Sequence, residues 1–225
     1  MKFFRASTVV CFLVLVSVAP LWAADNGWKK ISESGGIVGY TRPTTKSSVD
    51  EVKAVGVVNA PIAVVEAVLR DASLHPEYMF MCKEGFLINT PELKSEGDIL
   101  YAYNVTGMPF PVKDRDTVVK CMWSIDKSTG TIYCHSEGVK TTYLQKKNMV
   151  RYPLVILDYT IVPKGADKTE VTYQGLADPG GNLPAFLVNT LTRNIGTKTI
   201  EGIRKMVLKD KHKSAKTIVT ITPNT

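Results

Sequence analysis

The sequence predicts an α+β protein built on an antiparallel sheet, and three observations carry that expectation. The elements run strands, helix, many strands, then a long helix. The stretch Asp126-Lys127-Ser128-Thr129-Gly130 is a clear hairpin turn between two apolar runs. The segment just before the basic tail carries an apolar stripe at helical spacing, uninterrupted by proline from 185 to 208.

The chain opens on an address. Lys2 and Arg5 are followed by an uncharged, largely apolar run over 8–18, by Pro20, and by Ala23 and Ala24 ahead of Asp25. That is the layout of a cleavable secretory signal peptide over 1–24. The run is shorter than the roughly 20 apolar residues a spanning helix needs. Cleavage removes two basic residues and lowers the net charge from +7 to +5. Much of the remaining excess lies from Lys205 to Lys216, running into a basic tail over 210–225, where a solvated end is the plain reading and contact with anionic headgroups the alternative.

Segments 36–42 and 49–58 read as strands around Pro43 and a polar turn. Asn59 can cap the helix that follows, Pro61 suits its first turn, and Ile62, Val65, Val68 and Leu69 recur at helical spacing. That helix ends near Asp71, with a turn over 74–80. Strands are expected over 85–89, 99–105, 116–125, 131–136, 149–162 and 169–176. Pro153 lacks a ladder donor and marks an edge or bulge within 149–162. Asp178-Pro179-Gly180-Gly181 makes the break before the last helix, whose stripe is Leu187, Leu191, Ile195, Ile203 and Met206, with Thr199 or Gly202 in its middle. Residues 217–222 suit a stray strand or no structure.

With 44% hydrophobic and 22% charged residues in 225, the chain is a folded globular protein of one domain, over 25–209. The four cysteines are too few for a disulfide scaffold. Aromatic and basic residues do not interleave as a stacking platform, so nucleic acid is not an expected partner.

Three stretches together resemble START domains, the steroidogenic-acute-regulatory-related lipid-transfer family. They are Trp28 with Gly36-Ile37-Val38-Gly39-Tyr40-Thr41-Arg42; Pro109-Phe110-Pro111 with Asp114-Arg115-Asp116; and the run from Asp178-Pro179-Gly180-Gly181 to Asn189. The similarity spans 28–209. It implies a helix-grip fold, in which a curved antiparallel sheet wraps a long C-terminal helix. It also implies a tunnel that binds one lipid or sterol-like molecule and carries it through water. A preformed apolar cavity suits that task, because each Å² of apolar surface removed from water contributes roughly 25 cal/mol.

Strand parity offers a lining. Thr117, Val119, Cys121 and Trp123 share a face that avoids Lys120. Tyr101 and Tyr103 share a face, as do Val171 and Tyr173, and Val155, Leu157, Tyr159 and Ile161. These aromatics alone suit a closed core equally well; the resemblance turns them into a tunnel wall. The expected ligand-binding residues are Tyr101, Tyr103, Val119, Cys121, Trp123, Leu157, Tyr159, Tyr173, Phe186, Leu187 and Leu191. Several START members carry an inward arginine six residues after the one matched by Arg115. Here that position is Cys121, and the 99–105 strand offers no acid to pair with it. A neutral, weakly polar ligand is therefore expected, in place of a phospholipid headgroup. Arg115 reads as structural, tying down its turn.

After removal of the leader, Cys82, Cys121 and Cys134 remain. Cys121 and Cys134 lie almost symmetrically about the 126–130 turn, so a cross-hairpin disulfide and two free tunnel thiols both stand open. No cofactor, metal or catalytic residue is expected. His75, His135 and His212 have no metal-ligand spacing and read as surface residues, and no GxSxG elbow or phosphate loop occurs. The rival function is a polyketide cyclase or aromatase using Tyr101, Tyr103 and His135; a lipid-sensing adaptor is a third. Asn104-Val105-Thr106 is a glycosylation sequon. The reading is an exported monomer, periplasmic or else secreted, that touches membranes transiently, with the long helix and loops 108–113 and 177–183 as its gate.

Overall fold

Residues 26–220 are described by the structure, a computed structural model; the expected signal peptide lies outside the described residues. Three strands come first: β1 (Lys29–Ser34), β2 (Ile37–Arg42) and β3 (Glu51–Val58). The sequence of β1, KKISES, carries no alternating apolar signal, and it forms the sheet's edge on β2. Helix α1 (Ile62–Arg70) starts from Pro61 with no side-chain cap, so Asn59 does not cap it. Its start is fixed instead by Thr169 Oγ1, which donates to the Ala60 carbonyl at 2.9 Å. The stretch expected as a simple turn is a 3-10 turn (Ala72–Leu74) and a short helix α2 (His75–Tyr78).

Seven strands follow: β4 (Cys82–Ile88), β5 (Ile99–Thr106), β6 (Arg115–Asp126), β7 (Thr131–Gly138), β8 (Val150–Arg151), β9 (Leu154–Pro163) and β10 (Thr169–Asp178). The sheet order is β1-β2-β3-β10-β9-β7-β6-β5-β4, antiparallel along that path, with β8 joining the start of β6 in parallel. The segment read as one strand over 149–162 is thus two. At Pro153, which has no N–H to give, the chain leaves β6 and crosses to pair with β7 and β10.

The long C-terminal helix runs as two consecutive segments, α3 (Ala185–Thr192) and α4 (Ile195–Met206). They meet at Asn194, whose φ −102°, ψ 6° leaves helical values. Segment α4 buries Thr199, Ile200, Gly202, Ile203 and Met206 against the sheet and α2. A Cβ on Gly202 would fall 2.5 Å from the Tyr78 carbonyl oxygen, and one on Gly196 2.9 Å from Ala54. Any larger residue there would push the helix off its seat. Segment α3 is looser, with Val188 its buried residue.

A second apolar cluster lies on the outer side of the sheet. Tyr103, Val118, Val105 and Ile88 are buried beneath Val139, Tyr143 and Met149 of the β7–β8 connection. Both faces of β5 and β6 are therefore covered.

The basic tail is pinned rather than free. Lys209 pairs with Glu77 and Lys211 with Asp71. Beyond them the chain forms no strand over 217–220. The backbone N–H groups of Ile218 and Val219 donate to the Glu66 carboxylate at 3.0 and 2.8 Å. Those of Thr220, N–H and hydroxyl, donate to Asp98 at 2.9 and 2.8 Å. Val219 is buried in the main core. Ending the chain at Ser214 is expected to cost roughly 2–4 kcal/mol, from one buried valine and the lost donors to two carboxylates. Urea unfolding of the shortened and full chains measures it, and equal midpoints would mean that the tail holds nothing.

Candidate functional site

The strand register lays a grid of side chains on the concave face. In one row Trp123 (β6), Cys134 (β7), Tyr159 (β9) and Tyr173 (β10) stand side by side. The next row, two residues along each strand, is Leu100, Cys121, Ser136, Leu157 and Gly175. A third holds Ala102 opposite Val119 and Val155 opposite Ala177. The first row is bulky and closes one end, with the Tyr159 and Tyr173 rings edge to face at 5.5 Å. The later rows are small in the middle, and that difference leaves a hollow.

Helices roof the hollow. Leu69 and Arg70 from α1, His75 and Tyr78 from α2, Met79 beyond it, and Thr192 and Ile195 at the α3–α4 junction complete the lining. The cavity encloses about 130 Å³. That is close to the size at which an engineered apolar cavity of about 150 Å³ stays dry and takes up benzene.

Of the expected ligand-binding residues, Val119, Cys121, Trp123, Leu157, Tyr159 and Tyr173 line this cavity. Tyr101 and Tyr103 do not. Their register opposite Lys120 and Val118 puts them on the other face, in the outer cluster. There the Tyr103 hydroxyl donates to Asp116 at 3.2 Å. Phe186 points to solvent at 74% exposure, and Leu187 and Leu191 stay half-buried on α3 outside the lining. These three lie on α3, which the Asn194 break separates from α4.

Cys121 and Cys134 are free thiols, each on the cavity wall. They are not directly opposed: Cys121 faces Ser136 and Cys134 faces Trp123, a diagonal offset of one row. A hydrogen bond from Cys134 holds the Cys121 thiol below its usual pKa, and burial pushes that of Cys134 well up. Cys82, away from the cavity wall, is pushed up to about 11 by burial.

The histidines are distributed unexpectedly. His135 is partly exposed and pairs with Asp158 at 2.6 Å, and His212 lies 3.4 Å from Asp71. His75, expected on the surface, is buried in the cavity roof and its Nδ1–H donates to Asn104 Oδ1 at 2.6 Å. Asn104 is buried too, so the sequon is closed to a glycan in the folded chain. Burial lowers the His75 pKa from 6.5, against the opposing effects of Asn104 and Asp71. The unfolded chain therefore takes up a proton below pH 6.5 while the native ring stays neutral, so this residue costs stability as pH falls. The loss stops growing once pH passes the lowered native value. His75→Gln is expected to show a shallower decline in urea midpoint than the parent between pH 7 and 5; matching slopes would remove His75 from the account.

Arg70 is a cavity residue that the sequence reading did not single out. Its guanidinium donates to Glu66 at 2.8 Å, to Asp98 at 2.7 Å and to the Gly97 carbonyl at 3.2 Å, and lies 4.4 Å from the Trp123 ring centroid. The Glu66–Arg70 spacing of four on an amphipathic helix was a visible sign of that pair. Arg115 fulfils its structural reading with different partners. It donates to the carbonyls of Lys113, Pro179 and Gly180, tying the β5–β6 loop to the turn before α3. Asp116 instead receives Arg151 at 2.9 Å.

A family model of the START domain matches residues 15–213. An uncharacterized protein of Pseudomonas aeruginosa is 29% identical over 182 residues, 81% of this chain and 87% of that one. START domain-containing protein 10 of Homo sapiens is 27% identical over 101 residues, 45% of this chain and 34% of its own length. Among solved structures, a STAR-related lipid transfer protein of Xanthomonas axonopodis superposes with a TM-score of 0.73 at 28% identity, over 81% of this chain and 99% of that one. Human StAR-related lipid transfer protein 5 gives a TM-score of 0.71 at 18% identity, over 81% and 86%.

Proposed function

The chain belongs to the START domain family, and from that membership we propose that it holds one hydrophobic molecule in the cavity and carries it through water between membranes. The observation that carries the proposal is the hollow itself, walled by Val119, Leu157, Val155, Leu69, Tyr159 and Tyr173 between sheet and helices. The Xanthomonas axonopodis relative is described as a lipid transfer protein, which supports the same reading. An apolar guest leaving water gains roughly 25 cal/mol per Å² buried.

The guest is neutral and weakly polar. Arg70, the cavity's arginine, is already committed to two carboxylates, and Cys121 sits where several family members place a cation. About 130 Å³ takes a ring-sized group, so a longer lipid enters when the walls part. The elements able to move are α3, with little buried, and the two loops joined by Arg115. Phe110 and Phe186 stand on this end at 97% and 74% exposure, suited to brief contact with a bilayer. Residues 1–24 support export, to the periplasm or the medium, of a monomer. The cyclase alternative loses its three offered residues, since Tyr101, Tyr103 and His135 are absent from the cavity wall.

Native mass spectrometry of the purified protein is expected to show one bound hydrophobic molecule. The protein is also expected to speed movement of that molecule from donor to acceptor vesicles. Protein free of any such molecule, and without effect on vesicle exchange, would end the carrier reading.

A further inference from the structure

Two polar atoms at the closed end of the cavity have no partner. Trp123 Nε1 and the Tyr159 hydroxyl are enclosed and make no hydrogen bond, and both side chains line the cavity. They stand on one row of the sheet, on either side of Cys134, which pairs with Trp123 across β6–β7 and with Tyr159 across β7–β9. Buried donors are almost always met in folded proteins, and an unmet one calls for an explanation. Both groups belong to side chains that border the hollow the fold keeps open.

Their chemistry defines what would meet them. An indole N–H only donates, and a phenol can donate as well. The complementary atom is therefore an acceptor: an ether, carbonyl or hydroxyl oxygen. An ammonium group brings only donors and would leave Trp123 unmet. An anion would need a cation to balance it, and the nearby Arg70 already serves Glu66 and Asp98. The rows beyond, with Cys121 and Leu157 and then Val119 and Val155, offer an apolar bed for the rest of the molecule.

We infer that Trp123 and Tyr159 form the polar anchor of this cavity and select a neutral apolar molecule that enters oxygen-first. The inference rests on the cavity being the ligand site. It adds the guest's orientation and the two residues that set specificity.

A matched set of probes tests it on the full chain. Anisole carries one acceptor oxygen, ethylbenzene has the same shape without it, and benzylammonium carries only donors. Calorimetric titration is expected to give the ether about tenfold tighter binding than the hydrocarbon, the size expected of one buried hydrogen bond. The ammonium probe is expected to bind weakest. Trp123→Phe keeps the ring beneath Arg70 and removes the N–H, and Tyr159→Phe removes only the hydroxyl. Each is expected to narrow the ether's advantage over the hydrocarbon, and both together to abolish it. Tyr159→Phe is not expected to melt lower than the parent, because it deletes one atom that makes no bond, whereas Trp123→Phe also trades a buried indole for a smaller ring and is expected to melt lower. Should one fail to fold, the other and the parent's probe preference still decide the matter. Equal binding of ether and hydrocarbon by the parent, a preference unchanged in the variants, or tightest binding of the ammonium probe would overturn the anchor and leave the cavity reading standing. Failure of both neutral probes and of any lipid to bind would overturn the cavity reading itself, and the anchor with it.

Discussion

Arg70→Met is expected to destabilise the fold by about 3–5 kcal/mol, the cost of leaving buried charge without its partner. Glu66 and Asp98 are almost wholly enclosed, with side-chain exposures of 0% and 2%, and Arg70 is the cation both share. Methionine has similar reach and fills the same space, so packing over Trp123 is largely kept and the loss reports charge. The tail's N–H groups soften the loss without carrying a full charge. A triple variant, Glu66→Gln with Arg70→Met and Asp98→Asn, is expected to recover more than half of it. Its amide oxygens still accept from 218–220 while no net charge stays buried. Urea midpoints at constant m-value measure all three proteins. A loss below about 1 kcal/mol for the single change would show water reaching these carboxylates and would remove the cluster from the stability argument.

Cys121→Phe is expected to abolish uptake of the hydrophobic guest, lowering affinity by at least about a hundredfold, while the protein stays folded. Cys121 lies deep in the fold yet keeps accessible surface because it opens onto the cavity. A phenyl ring there occupies much of the roughly 130 Å³. Filling such a space regains packing that an empty cavity forfeits, about 24 cal/mol per Å³, so the ceiling is ~3 kcal/mol of added stability. Overpacking consumes part of that. Cys121→Ser keeps the room and is expected to keep the guest. Native mass spectrometry of the three proteins, beside their melting temperatures, separates a blocked site from a broken fold. Should the Cys121→Phe variant still carry the parent's guest, the binding site would lie elsewhere.

Much of the architecture was legible because it rests on local rules. Apolar, β-branched runs bounded by turn residues marked β2, β3, β6, β7 and β10. The Asp126 turn fixed one hairpin, where the Asp126 side chain accepts from the Ser128 N–H at 2.9 Å. The inward set on β6 was correct to the residue, because Lys120 barred its own face from an enclosed cavity and left the other parity for Trp123, Cys121 and Val119. The same reasoning failed for Tyr101 and Tyr103. Parity says which residues share a face and is silent on which face is the cavity. Here both faces are covered, the outer one by a connection with Val139, Tyr143 and Met149. Burial therefore gave no asymmetry to read. The break at Pro153 was legible only in part, since whether a proline bends or ends a strand depends on the neighbours waiting on either side, and the break at Asn194 carried no sequence signal that marked it.

The sequence by itself determined the fold class, the family and the apolar character of most of the wall, because side-chain chemistry and local spacing suffice for those. Only the tertiary structure decided that Arg70, Glu66, Asp98 and the tail at 218–220 meet at one end, and that His75 and Asn104 meet in the roof. Hydrogen-bonded members of the first group lie up to 153 residues apart along the chain. Each alone is an ordinary polar residue. A charge or an imidazole becomes a buried, partnered group only when distant segments close around it, and that enclosure is a property of the packing.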